Sequence, residues 1–247
     1  MGPNGGVSSG DGAAATALRA GLAPKRERPG ILKPLDWVRV LARRKPLGFV
    51  GFLILLVVAL AAAFAPLVAP YGYAEVGLTN RLQPPGGAHL FGTDNLGRDI
   101  LSRVIWGARI SLGISLGAMI IAKSLATVIA MFSAYYGGWF DKIMQRFVDV
   151  WIALPTLIIL ITLLGVLGAN PVSLIIVIGL ANAPQSSRLV RSVVLSVREE
   201  PYIEAARSLG MRDSRIMLLH VLPNIMHIII YSASVTLGSV ILIVASL

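Results

Sequence analysis

Long stretches without a charged side chain are the feature that most limits what this sequence can fold into. No Asp, Glu, Lys or Arg occurs from 46 to 74, from 150 to 187 or from 216 to 247, and Lys123 alone interrupts the stretch from 110 to 140. A helix needs about 20 apolar residues to cross a bilayer, so each stretch is long enough. We therefore predict an all-α polytopic membrane protein.

Turn-forming residues decide how many spans these stretches make. The stretch from 150 to 187 is too long for one span, and Gly165, Gly168, Asn170 and Pro171 divide it in two. We predict five spans, at roughly 47–69, 110–134, 150–167, 172–186 and 225–247. The composition agrees, because 55% of the residues are hydrophobic and only 14% are charged, whereas about 25% are charged in soluble domains.

The net charge of +10 is concentrated close to the predicted span ends. Four basic residues precede the first span and six follow the fourth: Arg39, Arg43, Arg44 and Lys45, then Arg188, Arg191, Arg198, Arg207, Arg212 and Arg215. This placement is typical of cytoplasmic loops that face anionic lipid, and it argues against a nucleic-acid-binding surface. We therefore expect a cytoplasmic N-terminus, with membrane lipid as a partner.

Residues 1–46 are expected to form a cytoplasmic tail. Positions 1–30 are rich in Gly, Ala, Pro and Ser without apolar periodicity, which predicts disorder. From 35 to 42, apolar and charged residues alternate at helical spacing. That pattern fits either a short interfacial helix or a solvated extension.

The residues that catalysis or metal binding would need are scarce. The sequence has no cysteine and no Gly-x-x-x-x-Gly-Lys-Ser/Thr phosphate loop. His220 and His227 lie seven positions apart and would share a helix face, but two imidazoles without a third ligand are usually structural. We expect no enzymatic site, no cofactor and no metal in this chain.

The segment 89–103, between the first two predicted spans, combines turn formers with a helix start. Gly92, Asp94 and Gly97 favour turns, and Asp99 can cap a helix that begins at Ile100. The predicted topology puts this segment outside. Taken alone, it would be a capped amphipathic helix at the outer face.

The second informative segment is Glu-Ala-Ala-Arg-Ser-Leu-Gly at 204–210. We predict a helix from 200 to 209, with Ala205 and Ala206 on a close-packing face and Glu204 offered to a cation of a partner. Gly210 can take the left-handed conformation that ends a helix and turns the chain. The segment should thus form a rigid elbow that docks on another protein. A basic loop held by lipid phosphates is the simpler alternative.

The chain that follows the elbow should lead into the fifth span. We expect Asp213 or Ser214 to cap the next helix. Pro223, in the sequence His-Val-Leu-Pro-Asn at 220–224, should bend or restart that helix at the membrane boundary.

Taken in order, these motifs resemble one transporter family. The set comprises Phe-Gly-Thr-Asp-x-Leu-Gly-Arg-Asp at 91–99, Tyr-Tyr-Gly-Gly-Trp-Phe-Asp at 135–141, and the 204–210 segment. It is similar to permease subunits of ATP-binding-cassette (ABC) importers, in the dipeptide, oligopeptide and nickel branch, and most similar to the second of the two permeases. The similarity covers about 47–247.

The resemblance implies a type I ABC importer fold, with a permease domain at 47–247 and a cytoplasmic coupling segment at about 188–224. It implies ATPase-coupling residues and an outer-loop motif: Glu204, Ala205, Ala206, Gly210, Leu222 and Pro223, then Gly92, Thr93, Asp94, Gly97, Arg98 and Asp99. The partners would be a homologous second permease, two ATPases that bind ATP and Mg²⁺, and an external solute-binding protein. The location would be a bacterial inner membrane.

Several cargoes and functions stay open at this point. Di- or oligopeptides are the first choice, and nickel or another small solute is the alternative. An ion-coupled transporter or channel would need buried acidic residues, and Asp149 is the only candidate. A membrane scaffold would not need the elbow.

The sequence departs from the family pattern in two places. The family usually has six spans, so we expect a sixth beyond Leu247. Lys123 stands where relatives are normally apolar, and a charge at mid-span costs about 2.5–3.5 kcal/mol on insertion scales. It can face the transport pathway and attract a carboxylate of a peptide or of the partner permease. It can also snorkel, or show that the predicted span is shifted.

Overall fold

The computed structural model describes residues 45–77 and 81–246. The predicted tail, apart from its last two residues, lies outside this range. Regular structure in the described residues is helical, and the predicted all-α membrane fold is confirmed. The helices are α1 Pro46–Ala63, α2 Ala65–Val68, α3 Ile100–Tyr136, α4 Gly138–Ala153, α5 Thr156–Leu167, α6 Pro171–Arg198, α7 Pro201–Ser208, α8 Asp213–Ile216 and α9 Leu222–Ser246.

Three helical segments in the described range are long and apolar enough to cross a membrane: α1, α3 and the continuous stretch Asp213–Ser246. The pair α4 and α5 makes a fourth if counted as one span, although it bends by 86° at its break. The predicted span 172–186 lies in the first half of α6, whose later residues are more polar. The count of five spans therefore stays a prediction.

Small residues let α3 and α6 approach closely. On α3 an alanine recurs every fourth position, at Ala118, Ala122, Ala126, Ala130 and Ala134, and each is at most 1% exposed. On α6, a Cβ built on Gly179 would lie 2.8 Å from the Cβ of Ile121 and 3.0 Å from the carbonyl oxygen of Ala118. Rows of small residues are common where helices pack in membranes, because lipid provides no hydrophobic driving force for helices to associate.

Two buried clusters hold α5, α7, α8 and α9 to this pair. The midspan core joins α3, α5, α6 and α9 through Ile114, Ala118, Leu160, Leu164, Val177, Ile178, Ala181 and Val240. The elbow core joins α3 and α6 to α7, to α8 and to the start of α9. Its residues are Ala130, Met131, Ala134, Tyr135, Val190, Val194, Ile203, Ala206, Ile216, Met217, Val221 and Ile225. The segment 201–221 is therefore part of the fold and not a free loop.

Pro223 neither restarts the helix nor bends it sharply. A wide π-type turn, Met217–Val221, links α8 to α9 without a break. A proline lacks the N–H for the helical hydrogen bond, and its ring clashes with the carbonyl four residues earlier. A wider turn just before the proline relieves both problems while the helix continues.

Candidate functional site

The elbow, residues 199–221, turns at Gly210. Helix α7 ends at Ser208, and Gly210 has the predicted left-handed backbone, with φ +74°. Its N–H donates to the Arg207 carbonyl (2.9 Å), and the Met211 N–H donates to the Ala206 carbonyl (3.1 Å). These bonds satisfy carbonyls that a helix end would otherwise leave unpaired. The direction of the chain is thus set by backbone geometry.

The two faces of α7 differ. Ile203 and Ala206 are buried in the elbow core, whereas Glu204, Ala205 and Leu209 are exposed. The predicted shared face for Ala205 and Ala206 is therefore wrong, because successive residues point about 100° apart around a helix. Ala206 packs inward, and Ala205 lies on the outward surface with Glu204.

Polar contacts from α3 fix the elbow, and a further contact ties the end of α6 to α3. The Tyr135 hydroxyl donates to Asp213 Oδ1 (2.6 Å), and the Arg207 guanidinium lies 5.0 Å from the centre of the Tyr135 ring. Arg198 Nη1 donates to the Ala134 carbonyl (2.8 Å). Sequence reasoning missed these contacts, although the Tyr-Tyr-Gly-Gly motif was a signal that the end of α3 has a special role.

The predicted cap of α8 is also corrected. Arg212 occupies the N-cap position of α8, and no side chain caps the helix. Asp213 is instead the first helical residue, and its carboxylate accepts the hydrogen bond from Tyr135. The contact across 78 positions replaces the local cap that the sequence predicted.

The last two predicted coupling residues lie where α9 begins. Leu222 is half-buried against the elbow core, and Pro223 is exposed. The outward surface of the elbow therefore includes Glu204, Ala205 and Gly210. Ala206 packs beneath that surface in the elbow core, and Leu222 contacts the same core from the start of α9.

Two carboxylates on α4 bind basic residues of α6 beside the elbow. Asp141 accepts from Arg191 through Nε (2.8 Å) and Nη2, and from the Ser133 hydroxyl of α3. Asp149 pairs with Arg188 and, at 3.7 Å, with Arg146. These contacts tie α3, α4 and α6 together at one end.

A cavity of about 540 Å³ lies between α3, α5, α6 and α9, and it carries several polar side chains. Its lining is Lys123, Thr156, Asn182, Gln185, Ser186, Leu189, Tyr231, Ser232, Val235, Thr236, Ser239 and Ile243. Lys123 is 6% exposed, and its Nζ donates to the Ser186 hydroxyl at 3.0 Å. The volume falls within the range of about 300–1,000 Å³ that is usual for ligand pockets.

Asp94 is the centre of the outer-loop motif. Its carboxylate accepts from the backbone N–H groups of Leu96 (2.8 Å) and Arg98 (2.9 Å), from Arg98 Nε (2.8 Å) and from Arg103 Nη1 (2.5 Å). Removal from water raises the pKa of this carboxyl, but the four hydrogen bonds outweigh that effect and hold the pKa well below its usual range. Asp94 is thus a charged hub of the loop.

Asp99 begins α3, as predicted. Its Oδ2 accepts from the Ser102 N–H (2.8 Å), and its Oδ1 lies 3.1 Å from His89 Nδ1. Burial raises the pKa of the Asp99 carboxyl, but the hydrogen bonds from Ser102 and His89 lower the pKa by more than burial raises it. The net shift of the pKa is therefore downward. The cap ties the start of α3 to the preceding loop.

The other motif residues complete the loop. Gly92 and Gly97 have φ values of +75° and +74°. Thr93 exchanges hydrogen bonds with Gln83, donating its N–H to the Gln83 carbonyl (3.1 Å) and accepting the Gln83 N–H on its hydroxyl (2.8 Å). All six motif residues therefore hold the shape of the loop.

Comparison with known proteins finds two matching families. Residues 126–247 match the family described as binding-protein-dependent transport system inner membrane component. Residues 39–85 match the N-terminal TM domain of oligopeptide transport permease C. The matches cover α1, α2 and the chain from the last third of α3 onward.

Similar proteins come from several bacteria. The chain is 40% identical to the dipeptide transport system permease protein DppC of Alkalihalophilus pseudofirmus, over 83% of this chain and 67% of the relative. It is 35% identical to the oligopeptide transport system permease protein OppC of Bacillus subtilis, over 81% and 65%. It is 34% identical to the glutathione transport system permease protein GsiD of Escherichia coli, over 83% and 68%. This chain spans about two-thirds of their length, and it belongs to the inner-membrane permease subunits of binding-protein-dependent ABC importers.

Proposed function

We propose that this chain forms half of the translocation pathway of an ATP-driven importer of di- and oligopeptides. A homologous permease supplies the other half, and two ATPases on the cytoplasmic side bind ATP and Mg²⁺. An external solute-binding protein delivers the cargo at the outer loop, and the N-terminus is cytoplasmic. The names of the relatives, which include dipeptide, oligopeptide and glutathione permeases, support this proposal.

The observation that carries the proposal is the form of the elbow. Its inner face is buried in the elbow core, while Glu204, Ala205 and Gly210 are exposed on its outer face. Leu209 is 86% exposed at the tip. An exposed leucine and an exposed carboxylate on one rigid turn suit insertion into a groove of another protein better than contact with water.

The same packing supplies a route for coupling. Ile203 and Ala206 pack against side chains of α3, α6 and α9. When the ATPases close on nucleotide, α7 moves with the groove in which it sits. The elbow core then carries that movement into the helices that line the polar cavity, because a close-packed core transmits displacement instead of absorbing it.

Two observations favour a peptide importer over the other functions considered. The cavity is lined by hydroxyl, amide and ammonium groups, which suit a peptide backbone, whereas nickel prefers imidazole and other nitrogen donors. Asp149, the carboxylate that an ion-coupled mechanism would use, pairs with Arg188 and Arg146 outside the cavity.

The test of docking uses two variants of the elbow. Glu204→Lys would place a cation against a cation of the ATPase, at a cost of several kcal/mol for like charges in a desolvated contact. Gly210→Val would force a β-branched residue into a left-handed conformation. We expect both variants to keep the second permease but to lose co-purified ATPase and stimulated ATP hydrolysis by at least about tenfold.

Each variant has a matched control. Glu75→Lys reverses an exposed carboxylate on the proposed outer side, where no ATPase can reach. Gly210→Asn adds a side chain of similar size, but asparagine tolerates φ above zero, and a Cβ at this position meets no atom within 4 Å. A compensating charge reversal on the ATPase should rescue Glu204→Lys but not Gly210→Val. Wild-type transport by both elbow variants would overturn the docking role.

A further inference from the structure

Lys123 is a buried cation without a carboxylate partner in the described part of the chain. It is 6% exposed, and its Nζ donates to one hydroxyl, that of Ser186. No described Asp or Glu oxygen lies within the 4.0 Å of an ion pair. The apolar stretches 110–134, 150–186 and 225–247 contain no acidic residue at all. Buried lysines are rarely left unpaired.

Snorkelling does not explain this position. Lys123 lies 13 positions from one end and 11 positions from the other end of the predicted span 110–134, so either end of that span is roughly 16 Å or more away at 1.5 Å per residue. A side chain with a four-carbon stem covers only a small part of that distance. The bond to Ser186 also turns the ammonium towards α6 and not along α3.

The surroundings of the ammonium provide space and further polar groups. The cavity beside it is about 540 Å³, and it is also lined by Asn182, Gln185, Thr236 and Ser239. Its mouth lies at the surface of this chain, since Tyr231 and Val235 are 63% and 62% exposed. A single acidic side chain from a partner would satisfy Lys123, but it would leave most of this volume and these groups unused.

We propose that Lys123 and Ser186 form a subsite that binds a carboxylate of the cargo during its passage. The amide and hydroxyl groups on α6 and α9 hydrogen-bond the adjoining peptide units. This inference rests on the proposed function and adds a charge preference to it. The carboxylate belongs either to the peptide C-terminus or to an Asp or Glu side chain, since both offer the same group to the ammonium.

The test compares wild type with Lys123→Met in reconstituted complexes supplied with peptide already loaded on the binding protein. One pair of peptides differs only in a free or amidated C-terminus, and a second pair differs only in an internal Asp or Asn. We expect Lys123→Met to slow uptake of the carboxylate member of one pair about tenfold, as loss of a charged hydrogen bond implies. Uptake of its neutral counterpart should change less than about twofold. The pair that responds identifies the source of the carboxylate.

Two further variants separate charge from folding. Lys123→Arg keeps the cation and should retain most of the preference for the carboxylate member of the responding peptide pair. Lys142→Met removes an exposed lysine that lies 5.8 Å from the Trp139 ring, outside the cavity, and should leave both pairs unchanged.

Three results would overturn the subsite. In the first, uptake of both members of each peptide pair falls equally in Lys123→Met. In the second, uptake of no peptide falls. In the third, the second permease is missing from purified Lys123→Met complexes. The last result would mean that Lys123 pairs with a carboxylate of the partner. Failure of the proposed function is distinct, because the wild-type complex would then take up none of the four peptides.

Discussion

At the scale of single residues, two glycines with nearly the same backbone angle have different roles. Gly210 has φ +74° and open space where a Cβ would lie. Gly97 also has φ +74°, but its Cβ would lie 1.9 Å from the carbonyl oxygen of Gly77. Gly210 is needed for its left-handed conformation alone. Gly97 is also needed because the backbone at Gly77 passes too close to leave room for a side chain.

Gly97→Ala should therefore loosen the outer loop. The displaced contact is backbone, which cannot swing aside, so we expect a loss of about 1–3 kcal/mol in local stability. Trypsin should then cleave after Arg98 about tenfold faster in the purified complex, because Arg98 is held by Asp94 in the intact loop.

Gly87→Ala is the control, since a Cβ there meets no atom within 4 Å and no left-handed angle is required. Equal cleavage rates for the two variants would contradict the assigned role of Gly97.

The residue scale also shows what local sequence can predict. The left-handed angle at Gly210 and the cap at Asp99 follow from neighbours within a few positions, and both are present. Asp213 was expected to cap α8 by the same reasoning. Its carboxylate instead binds Tyr135, which is 78 positions away, and no local pattern contains that information.

At the scale of elements, the contacts between α4 and α6 divide into a sheltered and an exposed pair. The side chains of Asp141 and Arg191 are 13% and 27% exposed. Those of Asp149 and Arg188 are 43% and 48% exposed. Solvent weakens the second pair far more than the first.

Asp141→Asn should thus destabilise the complex by about 2–3 kcal/mol, because it leaves the Arg191 guanidinium with a neutral partner. Asp149→Asn should cost only about 0–1 kcal/mol. Thermal melting of the purified complex in detergent measures both variants side by side. A larger shift for Asp149→Asn would show that these exposures do not describe the assembled protein.

Helices were easier to predict than their faces and junctions. Apolar length and turn formers predicted α3 and α7 close to where they lie, but the predicted span 150–167 crosses the sharp bend between α4 and α5. Ala205 is exposed and Ala206 is buried, because successive helical residues point about 100° apart and the elbow core lies on the side of Ala206. The π-type turn before Pro223 depends on how the turn itself packs, since Met217 and Val221 at its two ends are buried in the elbow core.

At the scale of the whole molecule, the positions of basic residues predict which side of the membrane each end occupies. The outer loop and the elbow must then lie on opposite sides. Asn95 and Ser208 are exposed in these two segments, and the chain has no native cysteine.

Single cysteines at these two positions test the orientation. On intact cells, an impermeant thiol reagent should label Asn95→Cys but not Ser208→Cys, and lysis should expose the second. Labelling of Ser208→Cys alone would reverse the topology and remove the basis for a cytoplasmic docking surface.

Helix α3 is a lever, because the cavity and the outer loop lie at different distances along it from one anchored end. This anchor lies near Tyr135, where Arg198 and Asp213 hold the end of α3. Lys123 is roughly 18 Å from that anchor along the helix, and Asp99 is roughly 54 Å away. A tilt about the anchor therefore moves the outer loop about three times as far as the cavity.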